Sequence, residues 1–327
     1  MIGAEELRRL ALEQGFQRVR LLAGRDLPAD LAADPRIAAL GAGSFLLCAL
    51  SCYRAEPEDL SCPGEPYGLI AFFARRNFYR EAVARLKRVA LAFRQKTGLA
   101  KEQLRLFSNS PLPEKPLAAA CGLGFYGRNS LLIAPELGSL FVIAGLFFPL
   151  ELPGAGDSPP EEWLEPGGMC GDCHACSDSC PVGALEQPGV LNRSRCLQEL
   201  AGRAERFPEA SRTAWGARLY GCQACQDCCP FNTGLHAESD CRYGSLGASL
   251  PLREVLARGP EEVKAMFRGT QMGLSWVAGE AILRNALLAA GNRGDAALTA
   301  AVESYLQADS PLLREAAGWA LERMDSG

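Results

Sequence analysis

The sequence predicts a multi-domain chain of mixed α+β and α/β class: an N-terminal α/β sheet domain in residues 1–152, a ferredoxin-like cysteine domain in 153–245 and a HEAT-like α-helical repeat in 246–327. Three observations predict it. Nine of the fourteen cysteines fall between Cys170 and Cys229, eight of them in two runs that each close on Cys-Pro. Ahead of them, short apolar runs alternate with amphipathic helical patterns, as strands and helices layered on one core do. Behind them the chain is rich in alanine and leucine at helical spacing, with short turns between segments.

The cysteine runs carry the most specific chemistry. The first reads Cys170-Gly-Asp-Cys173-His-Ala-Cys176-Ser-Asp-Ser-Cys180-Pro181, the Cys-x2-Cys-x2-Cys-x3-Cys-Pro spacing of a bacterial two-cluster ferredoxin. The second reads Cys222-Gln-Ala-Cys225-Gln-Asp-Cys228-Cys229-Pro230, with Cys196 upstream. Two residues between cysteines let a tight turn aim successive thiolates at different irons of one cube, and the cysteine before proline reaches the other cube. On that basis Cys170, Cys173, Cys176 and Cys229 hold one 4Fe-4S cluster, Cys180, Cys196, Cys222 and Cys225 hold another, and Cys228 is the spare. A pair of four-cysteine zinc sites is the competing reading; the two Cys-Pro closures and the three-cysteine opening favour iron-sulfur. Disulfides are disfavoured, because Cys-x2-Cys pairs this dense, with no export signal expected, read as metal ligands.

Size and composition suit a soluble globular protein: 327 residues, 48% apolar and 22% charged. The N-terminus opens an amphipathic helix and no apolar segment follows Arg8-Arg9, so a cytoplasmic protein is expected. No run of eighteen apolar residues occurs, so no membrane span is expected. A net charge of −4 gives no overall attraction for nucleic acid, yet residues 75–96 carry Arg75, Arg76, Arg80, Arg85, Lys87, Arg88, Arg94 and Lys96 against Glu81 alone. That stretch is expected to be a basic surface that meets phosphates, or a plain solvated helix face.

Taken in order, residues 4–15 show helical periodicity through Leu7, Leu10 and Ala11 up to Gly15, and 19–22 form a short strand. A helix over 28–40 and a buried strand over 44–51 follow; Cys48 and Cys52 are small core residues there with no metal. Past a loop at 62–67, residues 68–73 are extended or form the approach to the next helix, and 79–97 make a helix with Ala82, Val83, Leu86, Val89, Ala90 and Phe93 on one face, ended by Gly98. A strand at 104–107 delivers Ser108, Asn109 and Ser110 to its end, where loops carry chemistry. A short helix at 116–121 leads to Gly122, Gly124 and Gly127, whose close backbone approach serves a ligand or another loop. Strands at 131–134 and 140–148 precede a linker at 153–168. Beyond the cysteines, helices at 263–267, 276–290, 297–306 and 311–324 pair like HEAT-type repeats, too few to stand without packing on the cysteine domain.

This order of elements resembles the epoxyqueuosine reductase family. The residues that carry the resemblance are Pro111-Leu112-Pro113-Glu114-Lys115-Pro116-Leu117-Ala118, Gly122-Leu123-Gly124-Phe125, Gly127-Arg128-Asn129-Ser130-Leu131-Leu132 and both cysteine runs. Arg195-Cys196-Leu197, Tyr220-Gly221-Cys222, Cys229-Pro230-Phe231-Asn232 and Leu283-Arg284-Asn285-Ala286 before Gly291-Asn292 complete it, over about residues 45–290. The resemblance implies a cobalamin-binding N-terminal domain, a double 4Fe-4S domain and a HEAT-like repeat that helps bind tRNA. It implies reduction of epoxyqueuosine at a tRNA wobble position to queuosine, with low-valent cobalt engaging the substrate, clusters passing electrons singly and a carboxylic acid protonating the leaving oxygen. Such a deoxygenation consumes electrons and protons, and a nucleophilic cobalt has to be regenerated by a low-potential donor. The chain holds two histidines, His174 and His236, and lacks the Asp-x-His-x2-Gly motif of histidine-ligated cobalamin folds, so the cobalamin is expected base-off with no protein histidine. By family position its contacts are Ser108, Asn109 and Ser110, then Gly124, Tyr126, Gly127, Arg128, Asn129 and Ser130, and residues 140–144.

The substrate side departs from the family. Where the family has Asp-(Ser/Thr)-(Ala/Gly)-Pro, with the Asp as proton donor, the chain reads Ser108-Asn109-Ser110-Pro111, and a serine hydroxyl is a far poorer acid. The family's Arg-Asp-Tyr-His segment reads Asn77-Phe78-Tyr79-Arg80, which keeps only the tyrosine, and a usual lysine is Arg128. Tyr79, Ser108 and Asn109 are therefore the catalytic candidates, Tyr79 as proton donor or a water held by Ser108 and Asn109. Tyr126 and Glu114 are further choices, with Glu114 read as a structural carboxylate. The chain then has three readings: an epoxyqueuosine reductase, a related corrinoid reductase of the reductive-dehalogenase kind, or an electron-transfer or corrinoid-activating protein. Expected partners are tRNA and an electron donor such as ferredoxin or flavodoxin, with a monomeric chain and no membrane.

Overall fold

The computed structural model describes residues 2–235 and 238–325. Helix α1 (Ala4–Glu13) buries Leu7 and Ala11 and leads into β1 (Arg18–Ala23). Two short helices follow, α2 (Ala29–Ala32) and α3 (Pro35–Ala38), in place of the single helix expected over 28–40. Pro35 has no N–H to continue a helix, and the Asp34 carboxylate caps the new start by accepting the Arg36 amide at 2.8 Å. Strand β2 (Ser44–Ser51), β3 (Tyr67–Ile70), α4 (Phe78–Thr97) and β4 (Arg105–Phe107) come next, then α5 (Glu114–Ala120). A two-residue hairpin, β5 (Phe125–Tyr126) with β6 (Leu132–Ile133), precedes β7 (Phe141–Phe148).

The main sheet runs β1-β2-β7-β4 with every neighbouring pair antiparallel. Strand β2 is buried at all its positions because both faces are covered, which is why it reads as an unbroken apolar run. Its Leu46, Cys48 and Leu50 pack with Leu7 of α1 and Leu86 and Phe93 of α4. Its Phe45, Leu47 and Ala49 pack with Leu31 and Ile37 of α2 and α3 and Leu117 of α5.

Residues 153–168 are docked on β1 rather than forming a free linker. The Asp157 amide donates to the Leu21 carbonyl at 2.8 Å and its carboxylate accepts the Leu21 amide at 2.7 Å, while Leu152 and Ala155 join the first core. The cysteine region carries α6 (Ala175–Asp178), α7 (Leu197–Leu200), α8 (Glu209–Trp215), β8 (Arg218–Tyr220) and α9 (Ala224–Asp227). A second sheet then joins the parts of the chain: β3 lies between β8, parallel to it, and β9 (Ser249–Pro251), antiparallel to it.

The C-terminal region is helical: α10 (Leu252–Leu256), α11 (Pro260–Met266), α12 (Gly279–Arg293), α13 (Thr299–Glu303) and α14 (Pro311–Asp325). Helix α12 is buried at every residue from Ala281 to Gly291, enclosed by α8, β8, α10, α11 and α14. It starts later than expected, which leaves Trp276 in a loop and 55% exposed. The expected helix over 297–306 is α13 between two 3-10 turns. Buried Arg284 of α12 lies 4.3 Å over the Phe207 ring and donates to the carbonyls of Leu200 (3.0 Å) and Arg203 (2.8 Å), while Asn285 donates to that of Ala201 (2.9 Å). Leu200 ends α7, and Ala201 and Arg203 lie in the turn that follows it, so the helical region anchors the end of the helix that begins beside Cys196. Among the described residues no helix is long and apolar enough to cross a membrane.

Candidate active site

The short helices α6 and α9 pack on each other, so each Cys-Pro closure reaches across to the other cysteine run. Cys170, Cys173, Cys176 and Cys229 line one cavity of about 260 Å³. Cys180, Cys196, Cys222 and Cys225 line an inner cavity of about 290 Å³. Cys228 lines neither. The first set is backed by Phe125, edge-on to Trp163 at 5.5 Å and to Phe231 at 5.2 Å. Arg128 donates to the Gly171 carbonyl at 3.0 Å in the Cys170–Cys173 loop and lies 3.4 Å from the His174 ring. The loop that presents the second set is held by the Asn129 amide, which donates to the Cys225 carbonyl at 3.3 Å, and by Gln198, which accepts the Cys222 amide at 3.1 Å.

The inner cavity has a second wall from the sheet domain: Cys52, Tyr79, Asn129, Ser130, and Leu140 to Val142. An outer cavity of about 550 Å³ opens beyond Tyr79 and is lined by Arg80, Lys87, Ser108, Asn109, Tyr243 and Trp276 among others. Among the described residues Tyr79 alone lines both. Burial pushes its phenol well above the ordinary value, with a smaller push from Cys52. The Ser108 hydroxyl is turned into the sheet, donating to the Ile143 carbonyl at 2.7 Å.

Consecutive residues of α5 shape both cavities. The Glu114 carboxylate accepts the amides of Asn109 (2.9 Å) and Ser110 (2.7 Å), and Lys115 donates to the Ser130 carbonyl at 3.2 Å. Burial raises the Glu114 carboxyl against the pull of those amides, and burial lowers the Lys115 ammonium.

Not every expected residue faces a cavity. Ser110, Gly124, Tyr126, Gly127, Ile143 and Ala144 line neither the inner nor the outer one. The close approach at Gly124 and Gly127 serves the hairpin: a Cβ at either would stand 2.8 Å from the Ile133 carbonyl oxygen or 2.5 Å from the Ile133 side chain. Tyr126 supports the cysteine region, its carbonyl accepting the Gly167 amide at 2.7 Å, and burial pushes its phenol up to about 12. His236 lies outside the described residues.

The basic surface expected over 75–96 is broken up. Arg75 and Arg85 are buried, Arg85 pairing with Glu81 at 2.9 Å and donating to the Gly15 carbonyl at 2.6 Å, and Arg76 pairs with Glu56 at 2.5 Å. Arg80, Lys87 and Arg88 remain exposed, the first two on the outer cavity. Sequence reasoning missed Cys52, Lys115, Tyr243 and Trp276 as cavity or supporting residues. Of these, Lys115 alone had a signal, its place in the Pro113-Glu114-Lys115-Pro116 run.

Residues 169–232 match the model of a 4Fe-4S double cluster binding domain. The chain is 34% identical over 216 residues to the epoxyqueuosine reductase of Bacillus subtilis, which is 65% of this chain and 53% of that one. A Bacillus subtilis epoxyqueuosine reductase, solved with its aspartate-bearing catalytic loop swung out of the active site, is similar at a TM-score of 0.80 and 26% identity, over 98% of this chain and 90% of that one. The chain belongs to the epoxyqueuosine reductase family. An epoxyqueuosine reductase solved with an epoxyqueuosine-modified tRNA-Tyr stem loop is similar at a TM-score of 0.78 and 25% identity, over 98% of this chain and 89% of that one. In aligned sequence the chain spans about half of the curated Bacillus subtilis relative, 53%. As an epoxyqueuosine reductase family member it carries a 4Fe-4S double cluster binding domain.

Proposed function

We propose that the chain is a cobalamin-dependent, double 4Fe-4S reductase that converts epoxyqueuosine in tRNA to queuosine, with Tyr79 as proton donor where Ser108 replaces the usual aspartate. One observation carries the reading: the cavity lined on one side by Cys180, Cys196, Cys222 and Cys225 is lined on the other by Tyr79, so electron delivery and a proton source share one space. The two cysteine sets hold one cluster each, and Cys228 is free of both.

The lining fits a corrinoid in kind. Leu140, Phe141 and Val142 offer an apolar wall, Asn129, Ser130 and Ser139 offer polar groups at its edge, and among the described residues no histidine lines either cavity. The binding mode proposed is base-off without a protein histidine. When bound, the corrinoid supplies a nucleophilic metal centre that the clusters recharge with single electrons.

The protein's own groups do the rest. Tyr79 reaches from the inner to the outer cavity with its phenol kept protonated, in place to protonate a leaving oxygen. Asn109 and Ser108 wall the outer cavity, and Arg80 and Lys87 place positive charge at it, which suits RNA phosphates. The loop before α12 adds Leu274 and Trp276, so the HEAT-like helices α11 to α14 form the shelf on which the tRNA rests. Electrons come from a carrier of the ferredoxin or flavodoxin class, and the protein works as a cytoplasmic monomer. A similar structure solved with a modified tRNA stem loop supports the choice of substrate.

A second reading, a corrinoid reductase with another substrate, is favoured by Ser108, whose hydroxyl is committed to Ile143 and cannot stand in for an acid. The test is anaerobic EPR of iron-replete protein mixed with cobalamin, followed by mass analysis of an epoxyqueuosine stem loop. About eight irons, a base-off cobalt signal without nitrogen splitting and conversion of the stem loop are expected. The same spectrum without conversion selects the second reading. Eight irons with cobalamin left in solution overturns both and leaves electron transfer to a partner.

A further inference from the structure

Arg75 is a buried charge with an unspent donor, one layer behind the loop that presents Cys222 and Cys225. The residue is 2% exposed. Its Nε donates to the Ile70 carbonyl at 3.1 Å, one terminal nitrogen pairs with Glu58 at 3.1 Å, and the guanidinium lies 4.0 Å over the Phe72 ring. The other terminal nitrogen, Nη1, is buried and has no hydrogen-bond partner among the described residues. A buried donor left unpaired costs free energy, so the site keeps it against that cost.

The segment around Arg75 is tied directly to the cysteine loop. The Ala71 amide donates to the Tyr220 carbonyl at 3.0 Å, and the Phe72 amide donates to the Gln223 side chain at 2.8 Å. A Cβ on Gly221 would stand 2.6 Å from the Ala71 methyl, so glycine is what lets the two backbones close. Between them lies a cavity of about 150 Å³ lined by Arg75, Glu58, Arg218, Gly221, Gln223 and Asp227.

The charges around that cavity are unequal. The Glu58 side chain is 57% exposed, so water screens its half of the pair, whereas the Arg75 side chain is 3% exposed. Arg218 spends a terminal nitrogen on the Ala214 and Trp215 carbonyls, and the Asp227 carboxylate on the same cavity draws on the charge of both Arg218 and Arg75. A 4Fe-4S cluster with four thiolates gains one negative charge when it takes up an electron. A cation held in a low dielectric stabilises that more negative state, and local charge is one of the factors that set cluster potentials.

We propose that Arg75 tunes the cluster held by Cys180, Cys196, Cys222 and Cys225, raising its reduction potential by stabilising the reduced form. This rests on reading the two cysteine sets as two 4Fe-4S clusters. The test is an EPR-monitored redox titration of the full-length protein with dithionite as electron source, comparing wild type with R75M, R75K and E58Q. With about eight irons in each, R75M should lower the potential of one cluster and leave the other in place. R75K should restore most of that shift, and E58Q, which removes the counter-charge, should move the same cluster upward. R75M with full iron and both potentials unchanged overturns the proposal. If R75M loses iron, E58Q decides, and a potential that does not rise overturns it. A wild-type protein with too little iron for two clusters would instead remove the reading beneath it.

Discussion

The Glu114 carboxylate accepts the backbone amide of Asn109 at 2.9 Å. Its chain neighbour Lys115 donates to the Ser130 carbonyl at 3.2 Å. Asn109 at φ 53° and Ser130 at φ 62° are the two non-glycine residues in the left-handed region among those described. One walls the outer cavity and the other the inner. That conformation costs about 1–2 kcal/mol per residue, and such strain persists where surrounding groups over-determine it. Two adjacent side chains at the start of α5 therefore hold both strained walls of the site.

Removing that support should be costly. Glu114→Ala strands two backbone amides and should destabilise the protein by about 1–3 kcal/mol, read from urea unfolding under argon. The pH dependence has a definite sign. Burial raises the Glu114 carboxyl above its ordinary 4.5, so the folded chain keeps this proton where the unfolded chain has lost it. The stability from this group is fully present below about pH 4.5 and is lost as pH rises through the raised value. Wild-type stability relative to E114Q should decline as pH rises above about 4.5; a level difference would show the carboxyl to be unshifted.

Tyr79→Phe should lower turnover by about 10²–10⁴-fold, the range of a lost general acid, with iron content and the EPR spectrum unchanged. Because burial holds the phenol well above 10, the wild-type rate should show no loss from tyrosine ionisation up to pH 10. Ser108→Ala removes one hydrogen bond, worth about 1 kcal/mol of stability, and should leave the rate alone. Ser108→Asp combined with Tyr79→Phe should recover activity, with a rate that falls as pH rises and the new carboxylic acid loses its proton. If Y79F turns over normally, the proton comes from elsewhere.

Cys228→Ser should keep about eight irons, whereas Cys225→Ser should lose about half of them, counted against protein. Equal loss in both would make Cys228 a ligand and undo the assignment by spacing.

Arg85 and Lys87 should separate stability from binding. Arg85→Met leaves the Glu81 carboxylate buried without its 2.9 Å partner and should cost about 3–5 kcal/mol. Lys87→Glu, on the outer cavity, should leave the unfolding midpoint in place and weaken binding of a tRNA stem loop in a salt-dependent way. Unchanged stem-loop affinity in K87E would take this surface out of RNA recognition.

What the sequence determined by itself is what short spacing encodes. The double-cluster domain was legible because ligand turns repeat every three residues, and α4 because its apolar stripe and Gly98 stop are local signals. The break between α2 and α3 is written in Asp34-Pro35, a local signal set within a pattern of otherwise good helix formers. Only the tertiary structure decided the rest. Strand β3 finds its partners Arg218–Tyr220 and Ser249–Pro251 far along the chain, and a strand does not name its neighbours. Helical spacing puts Arg85 and Lys87 on α4 without saying what covers either. Gly15 and Glu81 bury the first, while the second is left open beside Tyr79. Tyr79 lies between the two cavities for the same reason: the cysteine loops close the inner one, Ser108, Asn109, Tyr243 and Trp276 line the outer one, and burial depends on what arrives from elsewhere in the chain.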